Sequence, residues 1–143
     1  NRQGFIGWFI RLALDGKEIQ IYGDGSQVRD LVYVDDVADA FLRAGATDTC
    51  NGGAFNVGGS EPIAHRDLVR LLLDEAGGGS VRFVDWPEEQ RRIDIGSFWA
   101  DSSKFQRTTG WAPAVRLADG LRRTLAYYRA HPERYLDPPP ASS

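Results

Sequence analysis

The sequence predicts an α/β fold, and two observations carry the prediction. Apolar residues recur at helical spacing in some segments and alternate in others. Residues 22–41, YGDGSQVRDLVYVDDVADAF, also place a tight turn, a β-rich run and a helix start in direct succession. Gly23 and Gly25 tolerate the positive φ of a turn, Arg29 to Val34 favours an extended strand, and Asp35 or Asp36 is placed to cap a helix. At 143 residues the chain is one ordinary domain, long enough to bury roughly two-thirds of its unfolded surface.

The elements follow in order. Phe5, Trp8, Phe9 and Leu12 share one face of a helix that ends at Asp15-Gly16, with Trp8 and Phe9 turned to the core. Glu18 to Tyr22 alternates Ile19 and Ile21 with polar residues, as a half-buried strand does. Val28 to Val34 continues the sheet after the turn, and Val37, Ala38, Phe41 and Leu42 form the buried stripe of a helix running to Gly45. Ala54 to Val57 reads as a short strand. Leu68, Val69, Leu72, Leu73 and Ala76 mark a helix over residues 64–76, which Gly77 caps. Val81 to Trp86 reads as a strand, Pro87 to Arg92 as a polar loop, and Ser102 to Thr109 as a short helix stopped by Gly110. Leu117, Leu121, Leu125 and Tyr128 make a last amphipathic helix, ended or kinked at Pro132. Residues 1–136 thus form one lobe, and residues 137–143, rich in Pro and Ser, form an extended or disordered tail.

Composition narrows the partners. A net charge of −3 and a pI near 5.3 give no basic face for nucleic acid or an anionic membrane. No run reaches the roughly 18 apolar residues of a membrane helix, and no signal segment opens the chain, so a cytoplasmic location is expected. Cys50 stands alone as a loop thiol without a disulfide partner. No metal is expected, because two histidines and one thiol offer no ligand spacing. His65 and His131 read as surface histidines without a nucleophile beside them.

No Gly-x-Gly-x-x-Gly turn and no phosphate loop occur, so this chain alone is expected to bind no dinucleotide and to contain no catalytic residue. Gly23, Gly25, Gly58 and Gly59 are wrongly spaced for that task and read as turn residues. Arg29 admits two readings. Its guanidinium fork suits a pyrophosphate, each charge-assisted hydrogen bond contributing roughly 1.5–3 kcal/mol. The alternative is a surface pair with Asp24, Asp30 or Asp36, contributing at most about 1 kcal/mol. Arg91 and Arg92 form a second cationic pair, which on the residues alone reads as a solvated charged loop.

Residues 22–41 resemble the signature of the extended short-chain dehydrogenase/reductases, the NAD-dependent nucleotide-sugar epimerases and dehydratases. Phe55 to Gly59, Trp86-Pro87, Arg91-Arg92, Asp101-Ser102-Ser103-Lys104, Gly110-Trp111-Ala112-Pro113, Gly120-Leu121 and Tyr127-Tyr128 are similar to successive motifs of that family, in family order. The resemblance implies a C-terminal substrate-binding lobe of a Rossmann-type enzyme, a small mixed sheet or β-ribbon with several helices, without the N-terminal dinucleotide-binding half. It implies that Arg29 contacts the diphosphate of a nucleotide-diphosphate sugar. It also implies that Arg92, or Arg91 in its place, closes over the nucleotide, and that Gln3, Phe5 and Ile6 touch the base or sugar. NAD or NADP is expected in the parent enzyme and not on this chain. The family's glycine-rich loop and Tyr-x-x-x-Lys pair would lie upstream of Asn1, and Tyr127 does not supply the pair, because His131 stands where lysine is needed.

Two rival readings follow from the same residues. One is a stand-alone sugar-nucleotide-binding module without catalysis, and the other a regulatory α/β domain in which Arg29 pairs with carboxylates. The helix over residues 36–44 and the strand over residues 55–57 are expected to pack on the missing half. The chain alone should therefore expose apolar surface and dimerise, swap or associate.

Overall fold

Helix α1 (Phe5–Leu14) buries Phe9, Ile10, Leu12 and Ala13 in the computed structural model, which describes residues 4–135. Trp8, expected inside, remains 38% exposed. The buried stripe centres on Phe9 and Ala13, and Trp8 falls at its margin. Strand β1 (Glu18–Tyr22) keeps the expected alternation, with Ile19 and Ile21 inward.

Strand β1 pairs in parallel with β4 (Ser80–Val84), Ile19 opposite Val81 and Ile21 opposite Phe83. A parallel pair needs a long crossover, and helix α3 (His65–Ala76) lies within it. Leu68, Val69 and Leu72 of α3 are fully excluded from solvent and pack with α1 and β1. Truncating a leucine so enclosed costs about 2–5 kcal/mol. Leu121 and Leu125 of helix α6 (Leu117–Ala130) close this core from the other side. The glycine stop of α3 is a Schellman motif: Gly77 has φ 89°, the Gly78 N–H donates to the Leu73 carbonyl, and the Gly77 N–H donates to that of Asp74.

A second, antiparallel pair joins β2 (Val28–Asp30) to β3 (Pro62–Ala64), with Arg29 opposite Ile63. The extended run stops at Asp30 rather than Val34, and residues 54–57 carry no strand. A strand exists only where a neighbour completes its hydrogen bonds, and among the described residues neither stretch has one. Pro62–Ala64 pairs because β2 offers it an edge. Two small sheets result, with helices packed around them. The polar loop expected after Pro87 is instead helix α4 (Glu88–Ile93), with Glu88 and Glu89 in its first turn and Arg91 and Arg92 in its last. That charge order complements the helix dipole, and the helix buries no residue of its own, so it left no apolar periodicity to read.

Helix α2 (Val34–Ala46) begins after Tyr33, and neither aspartate acts as its side-chain cap. Asp36 is buried and spends its carboxylate elsewhere, accepting the Ala114 N–H at 3.1 Å and the Val115 N–H at 3.0 Å. Its carbonyl accepts the Trp111 indole N–H at 3.2 Å. These bonds tie α2 to the turn after helix α5 (Ser103–Thr109), where Ala40, Cys50, Phe105 and Trp111 form a second core. Cys50, in the 3-10 turn Asp48–Cys50, is therefore a core thiol rather than a loop thiol. The predicted buried stripe of α2 is largely solvent-facing: Phe41 is 75% and Leu42 74% exposed. Pro132 ends α6 and opens the single turn α7 (Pro132–Tyr135). The tail at residues 137–143 lies outside the described residues.

Two predictions follow from this packing. Asp36→Ala leaves two backbone N–H groups without their acceptor and should lower unfolding free energy by about 1–3 kcal/mol, read from the urea midpoint; Asp36→Asn, which keeps one acceptor oxygen, should lose less. Replacing Phe41 and Leu42 together by Ser should reduce binding of an apolar-surface dye and reduce self-association, with a stability change within about 0.5 kcal/mol per site. Unchanged dye binding would mean that the α2 face is already covered.

Candidate functional site

A groove of about 480 Å³ lies against α1 and β1, lined by Phe5, Trp8, Tyr22, Gln27, His65 and Trp86 among others. Helix periodicity carries Phe5 and Trp8 to one wall, because residues three apart share a face. Gly23 makes the opposite corner: its φ is 67°, and a Cβ there would stand 2.5 Å from the Trp86 indole nitrogen. The turn therefore needs glycine to bring Tyr22 and Trp86 together, ring centroids 5.3 Å apart. Phe5 lies 5.0 Å from the His65 ring. The groove is walled by flat rings, with Gln20, Gln27 and Glu18 adding polar groups at its lining.

Arg29 sits two residues beyond Gln27, on β2. Its Nη1 donates to the Val28 carbonyl at 2.8 Å and to the Gly96 carbonyl at 2.6 Å. No carboxylate partner for it occurs among the described residues, so the surface-pair reading with Asp24, Asp30 or Asp36 is not what this geometry presents. Nε and Nη2 have no protein acceptor among those residues. Asp30 is instead occupied by the backbone, its Oδ2 accepting the Gly59 N–H at 3.3 Å and the Ala100 N–H at 3.2 Å.

His65 lines the groove, which Arg29 itself does not. It is half-buried, its Nε2 is enclosed without a hydrogen-bond partner, and its pKa is lowered, first by burial and then by the nearby Arg29 charge, with Asp94 opposing. The expected surface histidine is thus part of the packing. It could have been found from its place at the start of α3, where the apolar face of the helix meets the end of β3.

The candidate residues do not all converge. Phe5 lines the aromatic groove, whereas Ile6 turns into a separate apolar groove of about 300 Å³ between α1, residues 31–34 and α6. Gln27 and His65, which flank the β2–β3 pair carrying Arg29, line the first groove, so the candidate site is placed there. Arg91 and Arg92 lie exposed on α4, and Arg92 donates to Glu88 of its own helix at 2.5 Å. Neither lines the aromatic groove. Gln3 lies outside the described residues. Tyr22, Gln27, His65 and Trp86 were not expected as binding residues, since each reads locally as an ordinary strand, turn or helix-start residue.

The paired glycines face protein atoms. A Cβ on Gly25 would press on Arg66 and Ile21, one on Gly58 would collide with the Asp30 carboxylate, and one on Gly59 with the Leu31 carbonyl. These positions serve close packing. Among the described residues no cluster of His, Cys, Asp and Glu is arranged to hold a metal ion, and no helix is long and apolar enough to cross a membrane.

The lowered pKa of His65 makes stability depend on pH. The folded state resists protonation, so the full stability is present above the unfolded value near 6.5 and declines as pH falls from there through the lower folded value. Thermal unfolding followed from pH 7.5 to pH 5 should show this loss, and His65→Phe should flatten the part that His65 contributes. An unchanged profile in the variant would mean that other groups govern the acid side.

A sequence profile of the NAD dependent epimerase/dehydratase family matches residues 1–58. A dTDP-glucose 4,6-dehydratase of Streptomyces griseus is 41% identical over 86% of this chain, and the match covers 37% of that protein. A UDP-glucose 4-epimerase of Mycolicibacterium smegmatis is 37% identical over 88% of the chain and 39% of its own length. Among solved structures, the UDP-glucose 4-epimerase of Thermotoga maritima with UDP-glucose superposes with a TM-score of 0.79 at 32% identity, over 91% of this chain and 40% of that one. The dTDP-glucose 4,6-dehydratase of Streptomyces venezuelae, solved with NAD bound, gives 0.77 at 31% identity, over 92% and 40%. The chain spans about two-fifths of the length of these relatives. By sequence and fold together, it matches a part of the members of the NAD-dependent epimerase/dehydratase family.

Proposed function

We propose that this chain is the substrate-binding portion of an NAD(P)-dependent nucleotide-diphosphate-sugar epimerase or 4,6-dehydratase, and that residues 1–136 form that lobe. The observation that carries the proposal is Arg29: a guanidinium anchored through one nitrogen, with Nε and Nη2 given no protein acceptor among the described residues, two positions along the chain from Gln27, which lines a groove walled by Phe5, Tyr22 and Trp86. A diphosphate requires a planar, permanently charged donor, and a base requires flat apolar walls. Arg29 is not itself part of the groove lining, whereas Gln27 and His65 are.

In this reading the base and its ribose enter the aromatic groove, where Phe5 and Tyr22 supply ring surface and Gln27 supplies amide groups. Arg29 takes the diphosphate through Nε and Nη2. Arg92, or Arg91, closes over the nucleotide from α4. The Arg92–Glu88 pair is exposed, with Arg92 74% accessible, so recruiting it costs at most about 1 kcal/mol. The cofactor is assigned to residues other than these, since the sequence offers no Gly-x-Gly-x-x-Gly turn between a strand and a helix. When bound, NAD or NADP would supply hydride transfer; the part proposed for this chain is to grip and orient the sugar nucleotide.

The test is calorimetric binding of UDP and dTDP, each against its parent nucleoside. Arg29→Ala should weaken diphosphate binding by about 10- to 100-fold, the loss of one or two charge-assisted bonds, and should leave nucleoside binding nearly unchanged. Equal affinity of the unmodified protein for diphosphate and nucleoside would contradict the proposed role of Arg29.

A further inference from the structure

The segment after α4 runs along the edge of β2 that β3 leaves open. The Val28 N–H donates to Ser97 Oγ at 3.0 Å, the Phe98 N–H donates to the Val28 carbonyl at 3.0 Å, and the Ala100 N–H donates to Asp30 Oδ2. Arg29 Nη1 closes the set on the Gly96 carbonyl. Gly96 has φ 65°, a backbone state that side-chain-bearing residues rarely adopt, and the Asp94 carboxylate accepts its N–H at 3.1 Å. The turn at Asp94–Gly96 therefore aims a carbonyl at the guanidinium, and Ser97 holds that turn on the strand that carries Arg29.

We infer that Gly96 and Ser97 are positioning residues for Arg29, setting the direction of its guanidinium and hence the affinity for a diphosphate that they do not themselves touch. The inference rests on the proposed role of Arg29. A guanidinium has a fixed fork, and anchoring Nη1 to two carbonyls leaves Nε and Nη2 presented in one orientation. Without the anchor, the long side chain samples several rotamers and loses entropy when a ligand orders it. Ser97 acts at one remove: its hydroxyl accepts the Val28 N–H, and Val28 provides the other carbonyl that Nη1 bonds. Gly96 lies 67 positions from Arg29 and Ser97 69 positions from Val28 in the sequence, so the arrangement is a property of the fold.

The experiment is a double-mutant cycle on the intact protein, with UDP, dTDP, uridine and thymidine as probes. Ser97→Ala should weaken UDP and dTDP binding about two- to tenfold, the effect of one hydrogen bond, and leave the nucleosides unchanged; Ser97→Thr, which keeps the hydroxyl, should restore the diphosphate affinity. In an Arg29→Ala background Ser97→Ala should have no further effect on diphosphate binding. Equal losses for nucleoside and diphosphate, or an undiminished effect without Arg29, would overturn the positioning role while leaving the function of Arg29 intact. Absence of any diphosphate preference in the unmodified protein would instead overturn the proposed function, and this inference with it.

Discussion

The three-residue strand β2 must have its polar groups satisfied on both edges, and much of the arrangement around the site follows from that requirement. A buried or half-buried peptide group without a partner costs more than a typical hydrogen bond contributes. β3 supplies one edge of β2. On the other, the Val28 N–H and carbonyl are met by Ser97 and Phe98, while the Asp30 carboxylate accepts from Gly59 and Ala100. Segments near positions 29, 59, 63 and 98 are thereby drawn to one place. Arg29 projects from the middle of this junction, and the rigidity of the junction gives its guanidinium a direction.

The rest of the fold holds that junction in position. The main core of α1, β1, α3 and α6 fixes the start of α3 and so sets His65 against Phe5 and close to Arg29. The second core, built on Trp111 and Phe105, is tied to α2 by the backbone and carboxylate of Asp36. Helix α2 spends Ala40 on the second core and leaves Phe41 and Leu42 in solvent.

The legible parts of the sequence were those where side-chain periodicity and burial agree. The repeat of Phe9 and Leu12, the alternation of Ile19 and Ile21, and the Leu68, Val69 and Leu72 stripe place α1, β1 and α3 almost to the residue. What was hidden depends on partners distant in sequence. Pro62–Ala64 has no strand pattern of its own and becomes β3 only because β2 offers an edge. Phe55 and Val57 have the pattern of a strand and lack a neighbour. Asp36 looks like a cap and serves a loop nearly eighty residues away. α4 is held by charge order rather than burial. Arg29 drew attention through its motif and stands on β2, whereas Tyr22, Gln27, His65 and Trp86 become a group only when Gly23 folds the turn against Trp86.

The most direct measurement is the side-chain nitrogen resonance of Arg29, followed by NMR in the intact protein during titration with UDP and with uridine. The account predicts that the Arg29 Nε–H signal shifts and becomes protected from exchange with UDP, and stays in place with uridine, while groove residues such as Tyr22 and Trp86 respond to both. A UDP titration that moves the groove resonances and leaves Arg29 unmoved would contradict the account at its centre.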